Sequence, residues 1–317
     1  MTKTISRDKL VIIILTLIII SMSIFFYFYL TKQNPLESIT QPVHSLPQGL
    51  FAFGNDKQTG LLKPLGVGVD GNKIIVADSA KHRLVWFDRN GKKLKSVGSF
   101  GNGPDKFNYP VAVAAGAGKI FVADLNNNRI VVLDQEGKYL ESWPRDSKNN
   151  LRPVALALNS KGLLYVSDLL SQQVLVLDEQ GRVVKRIGEP GSGERGLSYA
   201  NGIALNEDES LLIVADSNNG RLQVFNADDG KHVKTIKEGI GFVLPRGITF
   251  DRERNAWIVV DTMQQAVIVL DANFKPIGQI AGFKEGDPFR FPNGVATDGT
   301  GRIYITDREN DRIVVLK

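Results

Sequence analysis

Between Pro110 and Gly137 the chain reads PVAVAAGAGKIFVADLNNNRIVVLDQEG, three short apolar runs of alternating character separated by Gly/Asn-rich turns. That pattern predicts three antiparallel strands. It recurs along the chain. An aspartate closes the second run of each copy, at Asp78, Asp124, Asp168, Asp216, Asp261 and Asp307, with spacings of 46, 44, 48, 45 and 46 residues. Six units of similar size therefore fill the chain from about residue 64 to its end. A period in the forties with several strands per unit predicts a propeller array, because helical repeats would carry a 3.6-residue pattern inside each unit.

Laid over one another, the units open on Pro64, Pro110, Pro153, Pro245 and Pro292, with Ala200 in the remaining position. A first strand rich in Gly and Ala follows, then a second ending at the frame aspartate, an apolar third and an alternating fourth. Small residues suit the first strand if it lies innermost, where radially packed sheets come closest together. The last unit stops at Lys317 after its third strand, while residues 46–64 read like a fourth strand plus connection. Residues 49–54 are thus expected to complete the sixth blade, joining the chain ends and removing an open edge.

These units resemble NHL repeats. The segment 101–134, GNGPDKFNYPVAVAAGAGKIFVADLNNNRIVVLD, is close to the NHL pattern over its whole length, and the resemblance covers about 270 residues. It implies an all-β fold, a six-bladed propeller of four-stranded antiparallel blades, over residues 47–317. For activity it is unspecific, since one scaffold hosts many functions.

Residues 10–30, LVIIILTLIIISMSIFFYFYL, carry no charge, and 15 of them are Leu, Ile, Val or Phe. At about 1.5 Å per residue they match a hydrocarbon core of about 30 Å. A cleaved signal peptide would have a shorter apolar core and a small-residue site after it. The reading is an uncleaved signal-anchor: a cytoplasmic tail 1–9, a transmembrane helix 10–30 and a linker 31–46. Lys3, Arg7 and Lys9 ahead of the run predict a single-pass protein with its N-terminus in the cytoplasm and an extracytoplasmic propeller, periplasmic or extracellular. The net charge of +5 is too slight and too mixed for a nucleic-acid footprint, and no nucleic acid is expected. The sequence contains no cysteine, which excludes disulfides, thiolate metal sites and a thiol nucleophile.

Chemistry-bearing residues are sparse. The frame aspartates pair in register with Arg83, Arg129, Arg221 and Arg312, replaced by Gln173 and Ala266 in the third and fifth units; they are expected to tie turns together, with an acidic catalytic ring as the remote alternative. His44, His82 and His232 are too dispersed for the axial histidine site of the amidating lyases that share this layout. Asn201-Gly202 and Asn293-Gly294 match locally the inner-strand metal ligands of lactonase-type propellers, but no ring of inner-strand carboxylates accompanies them. The glycine-rich 188–196 lacks a phosphate-loop ending, and the acidic 206–210 lacks calcium-loop spacing. Phe107, Tyr109, Phe289 and Phe291 are expected to fill gaps between blades.

In a four-stranded meander the fourth-to-first and second-to-third connections share one face. The long linkers all fall there, which makes that face the expected binding surface. The residues opening the inner strands at its axis are Leu65, Val111, Val154, Asn201, Arg246 and Asn293. Asn201, Arg246 and Asn293 form the candidate ligand rim; no catalytic residue, metal or cofactor is expected. The function expected is a membrane-tethered, non-catalytic scaffold or sensor binding a protein or envelope ligand. A metal-dependent hydrolase or lyase acting at the central channel is the alternative.

Overall fold

The structure, a computed structural model, describes residues 46–56, 60–144 and 150–317. Six four-stranded antiparallel sheets follow one another along Leu46–Lys317. Their inner strands are Gly66–Asp70, Pro110–Gly116, Pro153–Leu158, Ala200–Leu205, Pro245–Asp251 and Pro292–Thr297. These pack side by side in a ring in which the sixth meets the first. The second strand of every blade ends on a frame aspartate, from Lys73–Asp78 in blade 1 to Ile303–Asp307 in blade 6.

Blade 6 takes its outer strand from the other end of the chain. Gly49–Phe53 pairs antiparallel with Arg312–Leu316, Phe53 facing Ile313 and Ala52 facing Val314. The backbone of Gln48 and Lys317 exchanges two hydrogen bonds of 2.8 Å at the seam. The ring is closed in this way by an ordinary ladder, which covers the edge that Arg312–Leu316 would otherwise expose.

Six apolar clusters hold the fold, each shared by two neighbouring blades. In blade 1, Ile74 and Val76 face blade 6 while Ile75 and Ala77 face blade 2. Both faces of a middle strand are buried, and this is why the second and third runs read as nearly continuous apolar stretches instead of alternating cleanly. The inner strands carry glycine for a measurable reason. A Cβ on Gly66 would lie 2.6 Å from the Val111 carbonyl oxygen, and one on Gly202 would overlap that of Arg246. Neighbouring inner backbones touch, with no room for a side chain between them.

A second set of ties was not foreseen. Hydroxyls beside the frame aspartates donate across the blade boundary to carbonyls of the next inner strand. Ser79 donates to Pro110, Ser167 to Ala200, Ser217 to Pro245, Thr262 to Pro292, and Thr306 across the seam to Leu65. Each satisfies a carbonyl that the ladder leaves over at the blade boundary.

The expectation of a single-pass membrane protein with an extracytoplasmic propeller is corrected. Among the described residues no helix is long and apolar enough to cross a membrane. Helical backbone there consists of four three-residue 3-10 turns, Ser79–Lys81, Leu125–Asn127, Ser217–Asn219 and Arg308–Asn310, whereas a span needs about 20 apolar residues. The segments 1–9, 10–30 and most of 31–46, on which the anchor reading rests, lie outside the described residues. The glycine-rich 188–196 also differs from a plain loop: Glu189–Pro190 pairs in parallel with Gly196–Leu197.

Candidate functional site

The long-linker face is built on the frame aspartates. All six are buried, and each accepts a backbone N–H from the linker entering its own blade. Leu62 donates to Asp78, Asn108 to Asp124, Arg152 to Asp168, Ser198 to Asp216, Leu244 to Asp261 and Arg290 to Asp307, at 2.6 to 3.0 Å. The other carboxylate oxygen takes the arginine five positions on: Arg83 at 2.7 Å and Arg129, Arg221 and Arg312 at 2.8 Å.

Each of these arginines then reaches outward into the linker. Arg129 donates to the carbonyls of Asn102, Gly103 and Lys106, and Arg221 to those of Gly193 and Gly196. Arg312 instead grips Asp287 with both terminal nitrogens, at 2.9 and 2.7 Å. Where the arginine is missing, Ser171 serves Asp168 and Gln264 serves Asp261. The network fastens each linker to the turn after its aspartate. Every carboxylate oxygen is consumed in doing so, leaving none poised for proton transfer. Burial raises the pKa of Asp78 in spite of the Leu62 N–H and the Arg83 guanidinium that favour its charged form.

At the axis of this face the six strand-opening residues meet around a small mouth of about 80 Å³, lined by Leu65, Val111, Val154, Asn201, Arg246 and Asn293. The register slips at this point in five inner strands, between Pro110 and Ala112, Pro153 and Ala155, Ala200 and Gly202, Pro245 and Gly247, and Pro292 and Val295. The residue in each slip is freed from the ladder, the usual effect of a bulge that re-aims a side chain. Below the mouth lies a collar of one aliphatic side chain per blade: Val67, Val113, Leu156, Ile203, Ile248 and Val295, which also lines the hollow beyond.

The three polar rim residues are brought together but are not equivalent. Asn201 is held, its Nδ2 donating to the Tyr199 carbonyl and to Ser217 Oγ at 2.8 Å each. Arg246 Nε and Asn293 Nδ2 are buried without a hydrogen-bond partner. Burial lowers the pKa of Arg246, and the like charge of Arg308 lowers it further. A guanidinium nevertheless stays protonated. No Asp or Glu lines the mouth.

The four aromatic residues divide. Phe107 and Phe289 are fully buried between blades, as expected. Tyr109 and Phe291, each just ahead of the proline that opens an inner strand, have φ of 64° and 50°, and Tyr199, just ahead of Ala200, has 50°. Left-handed backbone is unusual for bulky residues. It is held at Tyr109 by His82 Nδ1, which accepts the Tyr109 N–H at 3.0 Å, and at Tyr199 by Gln172 Oε1 at 2.7 Å. His232 contacts Gln223 Oε1 at 2.9 Å, far in sequence and in blade from His82.

On the opposite face the turns are short, yet the inner strands leave a hollow of about 450 Å³ there, larger than the mouth. The reason is the run of small residues at that end, Gly68, Ala115, Ala157 and Ala204. Of the carboxylates near it, Glu209 accepts from Ser160 and Asp208 from Ser210.

For a divalent cation the donors at the mouth fit poorly. Such ions take several oxygen ligands, usually with carboxylates among them. The mouth offers a guanidinium and two carboxamides but no carboxylate, and no group of three His, Cys, Asp or Glu suited to a metal occurs among the described residues.

Comparison with known proteins agrees with the geometry. A family model described as "6-bladed beta-propeller" matches residues 63–142 and 146–237, and an NHL repeat model matches 289–316. NHL repeat-containing protein 2 of Gallus gallus is 27% identical over 38% of the chain, which spans 21% of that relative's length. Among solved structures, a gluconolactonase from Xanthomonas campestris superposes with a TM-score of 0.63 at 17% identity, over 80% of this chain and 85% of its own. Virginiamycin B lyase from Staphylococcus aureus does so at 0.58 and 14%, over 81% and 95%. At those identities the likeness is one of fold alone. With the propeller model matched over more than half its length, the chain belongs to the six-bladed beta-propeller family.

Proposed function

We propose that this propeller is a non-catalytic binding module that takes a protein or smaller ligand on its long-linker face, centred on Asn201, Arg246 and Asn293. The observation that supports this reading is the pair of buried N–H groups, on Arg246 and Asn293, left without partners at the axial mouth. Buried donors in a folded protein are nearly always satisfied. A ligand arriving at the mouth would satisfy these two. The frame aspartates do not compete for the role, because their oxygens are spent on linkers. The lyase and lactonase relatives suggest chemistry on this scaffold. The donor set at the mouth argues against a metal-dependent version of it in this chain.

A photo-crosslinking residue in place of Tyr199, which is half exposed on the rim, should trap an adduct. The same residue at Leu94, exposed on the outer strand of blade 1, should trap none. Metal analysis of the purified protein tests the rival reading directly. A stoichiometric divalent ion that is lost in the double variant Asn201→Ala, Asn293→Ala would replace this proposal with a metal-dependent one.

A further inference from the structure

We propose that the axial mouth is a carboxylate-binding site, in which Arg246 and Asn293 receive an acid group carried by the ligand. This rests on the binding reading above and specifies the chemistry of its central contact. Arg246 opens the inner strand of blade 5 at a bulge, so its side chain leaves the ladder and lines the mouth. Among the described residues it has no carboxylate within 4 Å, whereas Arg83, Arg129, Arg221 and Arg312 each hold one. A neighbour of like charge, Arg308, stands close enough to disfavour its cation further. Arg308 is in turn engaged by Glu309, which also takes Lys63, and this leaves Arg246 as the uncompensated charge of the mouth.

Such a charge is costly when it is removed from water without a partner. The collar of aliphatic side chains beneath it keeps the local dielectric low, which strengthens any anion contact made there. Asn293 Nδ2 lines the same mouth and lacks an acceptor. A guanidinium and a carboxamide N–H together match the two oxygens of one carboxylate.

Size restricts the occupant further. A mouth of about 80 Å³ holds an acid group of a few atoms and little more, so the rest of the ligand must lie on the rim. There the Tyr199 carbonyl already receives Asn201 Nδ2, and Tyr109 lies close enough to Arg246 to favour its cation. An acidic side chain, the C-terminus of a polypeptide and a small organic acid all present the required group.

The test uses the full chain labelled with nitrogen-15. Sodium acetate is titrated against sodium chloride at matched ionic strength, with the Arg246 Nε–H signal identified by its loss in Arg246→Lys. Acetate should move that signal saturably and chloride should not. In Asn293→Ala the apparent Kd for acetate should rise several-fold, and in Arg246→Gln the Asn293 amide signals should no longer respond. An Arg246 signal unmoved by acetate, or an Asn293 response that survives Arg246→Gln, overturns the proposal. Tighter binding of inorganic phosphate than of acetate by tenfold or more overturns the carboxylate assignment. A peptide with a free C-terminus, compared with its amidated form and with one bearing internal glutamates, separates the possible sources.

The two readings fail separately. Adducts at Tyr199 that persist unchanged in Arg246→Gln leave the binding module standing and sink the carboxylate site. Acetate binding without any adduct at the rim supports the site and sinks the protein-partner reading.

Discussion

Phe53 offers the sharpest test of how the ring is closed. It ends the strand that blade 6 borrows from the N-terminal side, is 8% exposed, and packs against Phe87 of blade 1 with ring centroids 4.7 Å apart and planes tilted by 55°. A Cβ on Gly91 would fall 2.6 Å from its ring, so the ring also covers the turn that follows the third strand of blade 1. One side chain thus clips the borrowed strand to the next blade. Truncating a buried Phe to Ala costs about 3 to 5 kcal/mol, a large part of the roughly 5 to 15 kcal/mol that separates most domains from their unfolded state. For a domain of this size each kcal/mol is worth about 2 to 4 °C in Tm, so Phe53→Ala should melt roughly 6 to 20 °C lower. Urea unfolding should show a matching fall in midpoint with an unchanged slope. Leu50→Ala, in the same strand but 47% exposed, should change stability by no more than about 0.5 kcal/mol. If Phe53→Ala costs less than about 1 kcal/mol, or no more than Leu50→Ala, the borrowed strand is not what holds the seam.

Other outcomes follow from the same packing. Gly66→Ala places a Cβ 2.6 Å from the Val111 carbonyl and 2.7 Å from Ala112 Cα, and should destabilise by about 1 to 3 kcal/mol, while Gly193→Ala, with nothing within 4 Å, should be neutral in the same urea titration. Asp216→Ala strands Arg221, the Asn219 carboxamide and the Ser198 N–H around an empty place, at a cost of about 3 to 5 kcal/mol; equality with a surface Asp→Ala would contradict the role given to the frame aspartates. Asp287 is held below the usual carboxylate range chiefly by its bond to Arg312. Its contribution is therefore fully present above the ordinary aspartate pKa and is lost as pH falls through the lowered folded value. Wild type should exceed Asp287→Asn by at most about 1 kcal/mol at pH 7, and the difference should shrink as pH falls below the ordinary aspartate range, as read by thermal melting at each pH.

The repeat was legible because its marker does a local job. A frame aspartate must accept from its own linker and its own arginine, so it recurs at a spacing set by one blade. The small inner strands were legible for a similar reason, since close backbone approach leaves glycine or alanine as the residue that fits. The cross-blade hydroxyl ties were written in the sequence too, as Asp78-Ser79, Ser167-Asp168, Asp216-Ser217, Asp261-Thr262 and Thr306-Asp307. Spacing does not reveal them, because four of the acceptors lie 28 to 33 residues on and the fifth, Leu65, lies 241 residues from Thr306. The rim was legible only as a set of polar positions. That Asn201 is satisfied while Arg246 and Asn293 are not depends on Tyr199 and Ser217 standing close by, and no spacing reveals it. The hollow on the opposite face escaped notice because short turns lie at larger radius and say little about the axis.

The distribution of polar rim residues carries the last step. Nothing in the scaffold requires blades 4, 5 and 6 to differ from blades 1, 2 and 3, since all six clusters, all six aspartate knots and the collar repeat around the ring. A residue in the bulge is released from the ladder, so blade stability constrains it weakly and Val111 and Val154 serve as well as Asn201, Arg246 and Asn293. An apolar residue in place of Arg246 would remove a desolvated charge without disturbing any of the ties described. Arg246→Met should then raise the melting temperature while abolishing acetate binding. That opposition of effects marks a residue kept for its ligand, and a variant that lost stability instead would mark Arg246 as part of the frame.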